Sequence, residues 1–193
     1  VPLAPDRLLE LMQSRFRQDL GRLETALQDL DSPAKEAVTW TIKGRDAVLT
    51  QAESLIREAQ RTVHASIWRR EALALQKPLE EAAERDLGVF LFSFTKLDEL
   101  PGHRASYGIE EAQLEEHWSH QIILVADHER LLVGGAEDGA RAVVTEEQTL
   151  VEMAINNLIL DLTLLGQRTG KDQAAVIKGL TEHVAPVESL LAP

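Results

Sequence analysis

The sequence predicts an α/β protein: a sheet flanked by helices, with a coiled-coil helix in front and a helical tail behind. Three observations carry that prediction. Helical and strand-like periods alternate across residues 44–94; the near-continuous apolar run Val89-Phe90-Leu91-Phe92-Ser93-Phe94 reads as a strand covered on both faces; and residues 121–133 have a hairpin pattern. A chain of 193 residues has room for one full domain and an appended element.

Across residues 6–30, Leu9, Phe16, Leu23 and Leu30 recur every seven positions, with Leu20 and Leu27 four after Phe16 and Leu23. This is a seam for joining two copies of the chain, interrupted at Asp6 and Gln13. The same pattern also suits an amphipathic helix packed on its own domain. Asp31-Ser32-Pro33 ends it, because proline cannot continue a helix and disfavours helical geometry in the residue before. The expected organisation is a dimerisation helix at 1–33, a main domain at 38–170 and a helical tail at 171–193.

In the main domain Gly44 precedes a helix with the apolar face Val48, Ala52, Leu55, Ile56 and Ala59, and the β-branched stretch 62–68 follows as a strand. Pro78 fits the first turn of the next helix and Gly88 its closing cap. Helix, strand, helix, strand in that order predicts a parallel pair with a right-handed crossover. Residues 96–119 lack a clean period and read as loop with one or two short strands. Residues 121–126 are a buried strand, Asp127-His128-Glu129 a tight turn, 130–133 the hairpin partner, Gly134-Gly135 a further turn, and 140–144 another strand. Thr145-Glu146-Glu147-Gln148 has the form of a capping box before a long helix reaching about Gln167. That helix has the core stripe Ala154, Leu158, Leu162 and Leu165, widened by Ile155 and Ile159, with Asn156, Asn157 and Asp161 opposite. A tail from Asp172 carries Val176, Ile177 and Leu180.

Composition narrows the function. With 32 acidic against 20 basic residues the net charge is −12, so the chain repels phosphate backbones and is not expected to bind nucleic acid by itself. Cysteine is absent, which excludes disulfides, thiolate metal sites and a cysteine nucleophile, and fits a cytoplasmic home. No apolar run approaches the roughly 20 residues of a membrane helix, so no membrane partner is expected. The start Val1-Pro2-Leu3-Ala4-Pro5, without initiator Met or signal-peptide pattern, points to a piece of a longer chain.

The stretch His120-Gln121-Ile122-Ile123-Leu124-Val125-Ala126-Asp127, closed by Gly134-Gly135, resembles the phospholipase D signature: His, then Lys two residues on, then Asp five further, before a glycine-rich turn. His120, Asp127 and the glycine pair match, but Ile122 stands where the family has lysine. In that family two such histidines converge on one phosphate while the lysines neutralise developing charge, which isoleucine cannot do. Only one copy of the pattern is present, so no catalytic residue is assigned and the expectation is a fold kept without its chemistry.

A broader resemblance spans nearly the whole chain. The coiled-coil start, the passage Ala52-Glu53-Ser54-Leu55-Ile56-Arg57-Glu58-Ala59 with Ser66-Ile67-Trp68, the run Leu79-Glu80-Glu81-Ala82-Ala83-Glu84-Arg85-Asp86-Leu87-Gly88-Val89, and the hairpin ending in Gly134-Gly135 together resemble the effector-binding part of TrmB-like transcriptional regulators. In that family a winged helix-turn-helix precedes a dimerising coiled coil and a phospholipase-D-like sensor, and some members bind sugars. The resemblance implies a homodimer, a small-molecule effector, and DNA contact only through a winged helix absent from this sequence. An effector preferring one arrangement of the paired sensors would shift the coiled coil and the spacing of the DNA readers. The runner-up is a catalytically dead module used only for dimerisation or protein interaction.

Ligands in open α/β sheets settle beyond the carboxyl ends of the strands. That rule selects Ser66, Trp68 and Arg69 after the first strand and Ser93, Thr95 and Lys96 at the end of the second, with His120 beside the vestigial centre. Trp68 suits stacking on a sugar face or sealing an apolar pocket, and equally a core position; Arg69 and Lys96 suit a carboxylate or phosphate, and equally solvated surface. His120 suits a retained polar pocket or a satisfied structural histidine. His117 and His120, with His103, Asp127 and His128, have zinc-ligand chemistry, but a strand beginning near His120 turns the first pair apart, so no metal and no cofactor are expected.

Overall fold

The computed structural model describes residues 5–28, 37–97 and 99–181. The chain divides into two compact units, Val1–Glu36 and Ala37–Pro193. The first contains helix α1, Pro5–Gln28. On it Met12, Phe16 and Leu20 are exposed, Phe16 at 65%. Leu9, Leu23 and Leu27 lie in this helix with side chains outside the described set, and Leu30 lies outside the described residues.

In the second unit β1 (Thr39–Lys43) leads into α2 (Arg45–Glu58), β2 (Thr62–Ile67), α3 (Arg69–Ala74), α4 (Gln76–Glu84) and β3 (Gly88–Thr95). Then follow β4 (His103–Ile109), α5 (Glu111–Glu115), β5 (Gln121–Ala126), β6 (Arg130–Gly135), β7 (Arg141–Thr145), α6 (Gln148–Thr169) and α7 (Ala174–Thr181). The seven strands form one sheet in the order β1-β7-β6-β5-β2-β3-β4. As expected, β2 and β3 are parallel; β4 extends the parallel part, whereas β5 runs antiparallel to β2.

Side-chain alternation along the strands builds two cores. Val63, Ala65, Ile67, Leu91, Ile122, Leu124 and Leu132 face one side, where Val48, Ala52, Leu55 and Ile56 of α2 and Leu79 and Ala82 of α4 cover them. Phe90, Phe92, Val125 and Leu131 face the other, under Val151, Ala154, Ile155, Leu158, Leu162 and Leu165 of α6 and Leu180 of α7. By length and composition alone α6 could cross a membrane, but this buried stripe packs it on the sheet. Its outer side is less polar than expected: Leu150, Met153, Leu160 and Leu164 are exposed beside Asn157.

Several local expectations are corrected. The 96–119 region contains one strand, β4, as expected, but also the short helix α5. Gly88 does not cap α4; it begins β3, and Asp86 takes the left-handed position at φ 60° while the Leu87 N–H bonds the Ala82 carbonyl. Thr145 does not start a capping box, because it ends β7; its hydroxyl accepts the Glu147 N–H at 3.0 Å and pairs with Thr39 at 2.6 Å, so α6 begins only at Gln148. Gly134 and Gly135 belong to β6 rather than to a turn. A Cβ on Gly134, whose φ is +155°, would lie 2.4 Å from the Arg141 carbonyl oxygen, so glycine is required by the close approach of β7.

Candidate functional site

The polar centre forms where the sheet's parallel strands end. Chain leaves β2 at Ile67, Trp68 turns it into α3, and β5, running the opposite way, begins at the same end just after His120. His120 is 2% exposed, with its ring 4.1 Å from that of Trp68. Its Nδ1 lies 2.9 Å from Oε2 of Glu71, and its Nε2 2.7 Å from Oε1 of Glu115. Glu71, in α3, is fully buried, and Arg70 Nε donates to its other oxygen at 3.1 Å. Glu111 of α5 accepts the Arg70 backbone N–H at 3.2 Å and comes within 3.9 Å of His120 Nδ1.

Both ring nitrogens of His120 are thus taken up by carboxylate contacts. Neither nitrogen offers a lone pair to open space, and three carboxylates surround the ring. Ile122, at the position of the absent lysine, is fully buried and paired with Ile67 and Gly134 in the α2-side core.

Asp127 stands at the far end of β5. Its carboxylate accepts the backbone N–H of Gln60, Arg61 and Thr62 at 2.8, 2.7 and 2.9 Å. Burial opposes its ionisation, but those three donors and the Arg61 guanidinium outweigh it, so the carboxyl is held below its ordinary range. Asp127 and His128 both have positive φ, 57° and 61°, making a type I′-like turn without glycine. This aspartate is a clamp on the turn before β2.

The seven sequence-selected ligand residues do not form one cluster. Trp68 and His120 stack together. Ser93 and Thr95 bond each other at 2.8 Å, and Thr95 accepts the Arg69 backbone N–H at 2.8 Å, so these hydroxyls fasten β3 to the start of α3. Arg69 and Lys96 share a hollow of about 300 Å³ with Glu110 and Glu111. Ser66 alternates onto the α6 side of the sheet, opposite Val63, Ala65 and Ile67. Of the histidine and aspartate set, His103 at the start of β4 and Asp127 and His128 after β5 lie at the end of the sheet away from His120. The residues missed from sequence are Arg70, Glu71, Glu111 and Glu115. Their available signals were an acid, Glu71, directly before the apolar stretch 72–75 and two glutamates four apart on one helix face.

Beside this centre opens a hollow of about 820 Å³, lined by Arg45, Asp46, Arg70, Glu115, Trp118 and Glu137 among others. Trp118 is 51% exposed. Glu137 also accepts the His120 backbone N–H at 2.7 Å. A smaller hollow of about 390 Å³, walled by Val89, Phe90, Val176 and Leu180, lies at the opposite end of the sheet.

No curated protein matches this chain. Among solved structures it is similar to TrmBL2, described as an archaeal chromatin protein with a novel mode of DNA binding, at 14% identity over 79% of this chain and 66% of that one, with a TM-score of 0.44. It is also similar to NucT from Helicobacter pylori, at 14% identity over 63% of this chain and 93% of that one, TM-score 0.46. A third is a phospholipase D family member, Nuc from Salmonella typhimurium, at 13% identity over 63% of this chain and 91% of that one, TM-score 0.46. The chain thus spans just under two thirds of the TrmBL2 chain. The family model described as "Transcriptional regulator TrmB, EBD N-terminal subdomain" matches residues 38–158, well over half of the sequence. This chain therefore belongs to the TrmB family of transcriptional regulators and carries the N-terminal subdomain of their effector-binding domain.

Proposed function

We propose that the domain senses a small, hydroxyl-rich effector, a sugar or sugar acid, in the hollow between Arg45, Arg70, Trp118 and Glu137, and performs no chemistry on it. The carrying observation is the combination of a large polar hollow with a histidine locked between two glutamates at the end of β2. Guanidinium and carboxylate groups supply donors and acceptors for hydroxyls, and the open indole of Trp118 supplies a face for a sugar ring. The burial of Ile122 argues against phosphodiester cleavage, since an isoleucine cannot offset charge on a phosphoryl oxygen.

On this reading the regulator works in the cytoplasm as a homodimer joined through Leu9, Phe16, Leu20, Leu23, Leu27 and Leu30 of the N-terminal helix. DNA is read by a winged helix outside this sequence, and the effector biases the pairing of two sensors. Gel-shift titration of the full-length regulator on its operator, with and without effector, tests the coupling; unchanged affinity rejects it.

One observation favours a second reading, a silent module kept for association. Leu150, Met153, Asn157, Leu160 and Leu164 follow heptad spacing along the outer side of α6, and the four apolar members are exposed. Light scattering of Leu160→Lys together with ligand melts of the parent separates the two: loss of the dimer in the variant, with no ligand-induced rise in the parent, supports the silent module.

A further inference from the structure

The chemistry of the polar centre goes beyond effector binding and does not rest on it. We propose that Glu71, Glu111 and His120 form a site for one divalent, zinc-class metal ion. One oxygen of each glutamate and one ring nitrogen lie within 4.8 Å of one another. The Nδ1 separations from Glu71 and Glu111, 2.9 and 3.9 Å, bracket the roughly 3.4 Å expected between two ligands of a tetrahedral ion bound at about 2.1 Å.

The surroundings match what a bound imidazole requires. A metal-ligating histidine donates its other ring N–H to a carboxylate, and Glu115 stands 2.7 Å from Nε2 in that position. The Arg70 guanidinium holds the second oxygen of Glu71, leaving Oε2 to face Nδ1. Charge favours a cation. Three carboxylates against one guanidinium leave two negative charges at a centre where Glu71 is fully buried and His120 is 2% exposed. A divalent ion at this position cancels both. Glu111, 20% exposed, gives an entry path from solvent.

Donor chemistry selects the metal. One imidazole and two carboxylates suit zinc or cobalt, with water completing the shell. Calcium takes about 6–8 oxygen ligands, more than this centre presents.

The test uses the whole chain without a histidine tag, stripped by chelator, then titrated with Co²⁺ and with Zn²⁺. One equivalent of Co²⁺ with a visible ligand-field band, displaced by one equivalent of Zn²⁺, is expected at micromolar concentrations. Glu111→Gln is expected to weaken Zn²⁺ binding at least about ten-fold, and Glu115→Gln about 10- to 100-fold, while the metal-free melting temperature of Glu111→Gln stays that of the parent. His117→Ala should bind as the parent does. Absence of stoichiometric binding overturns the proposal, and so does binding that survives Glu111→Gln but disappears in His117→Ala.

Discussion

Asp127 is the residue whose removal has the most calculable effect. Its two oxygens accept three backbone N–H groups, from Gln60, Arg61 and Thr62, and the residue is only 6% exposed. Hydrogen bonds to an ionised group contribute about 1.5–3 kcal/mol each, and water entering the vacated turn recovers part of that, so Asp127→Ala is expected to lose about 3–5 kcal/mol. Asp127→Asn keeps one acceptor oxygen and tolerates the positive φ, so about half that loss is expected. Domains of this kind are stable by about 5–15 kcal/mol, so urea unfolding followed by circular dichroism resolves both.

The pH dependence has a definite sign. Because the folded carboxyl lies below its unfolded value of about 3.9, its stabilisation is fully present above that value and is lost as pH falls through the folded one. The parent's advantage over Asp127→Asn should stay constant from pH 7 to about 5 and shrink below about 4. An alanine variant within about 1 kcal/mol of the parent, or an advantage that grows on acidification, would refute the clamp.

Restoring the missing lysine should harm rather than help. Ile122→Lys removes about 1.5–3 kcal/mol of apolar burial and forces an ammonium into the core, for a total of at least about 4 kcal/mol, with no turnover of a chromogenic phosphodiester; a stable, hydrolysing variant would contradict the reading of the centre. Gly134→Ala should lower the melting temperature by about 4–8 °C, as the Cβ meets the backbone of Arg141 and Ala142, and an unchanged scan would show that β6 and β7 can part without cost.

How much of this was legible depends on whether the signal was local. Val48, Ala52, Leu55 and Ile56 have a helical period, and Val89 to Phe94 an apolar run, because each buries its face against a continuous core; both were readable. β1 was missed because it is an edge strand with Trp40 and its neighbours largely exposed, so alternation leaves no imprint. β4, the other edge, mixes His103, Arg104, Ser106 and Tyr107 for the same reason. At the site, His120 was found through its motif, but Glu71 lies 49 positions away and is placed only by the fold. Ser93 and Thr95 looked like ligands because they end a strand, and no sequence period announces that their hydroxyls close a backbone gap at Arg69.

The central claim is that the hollow beside His120 takes a polar effector, and its sharpest test is thermal melting against sugars, sugar phosphates and carboxylates, repeated with Trp118→Ala and Arg45→Ala. A ligand at 100 times its Kd stabilises by about 2.7 kcal/mol, so a rise of about 5–10 °C in the parent, lost in both variants, is predicted. A rise of the same size in parent and both variants would place the effector elsewhere and contradict the account.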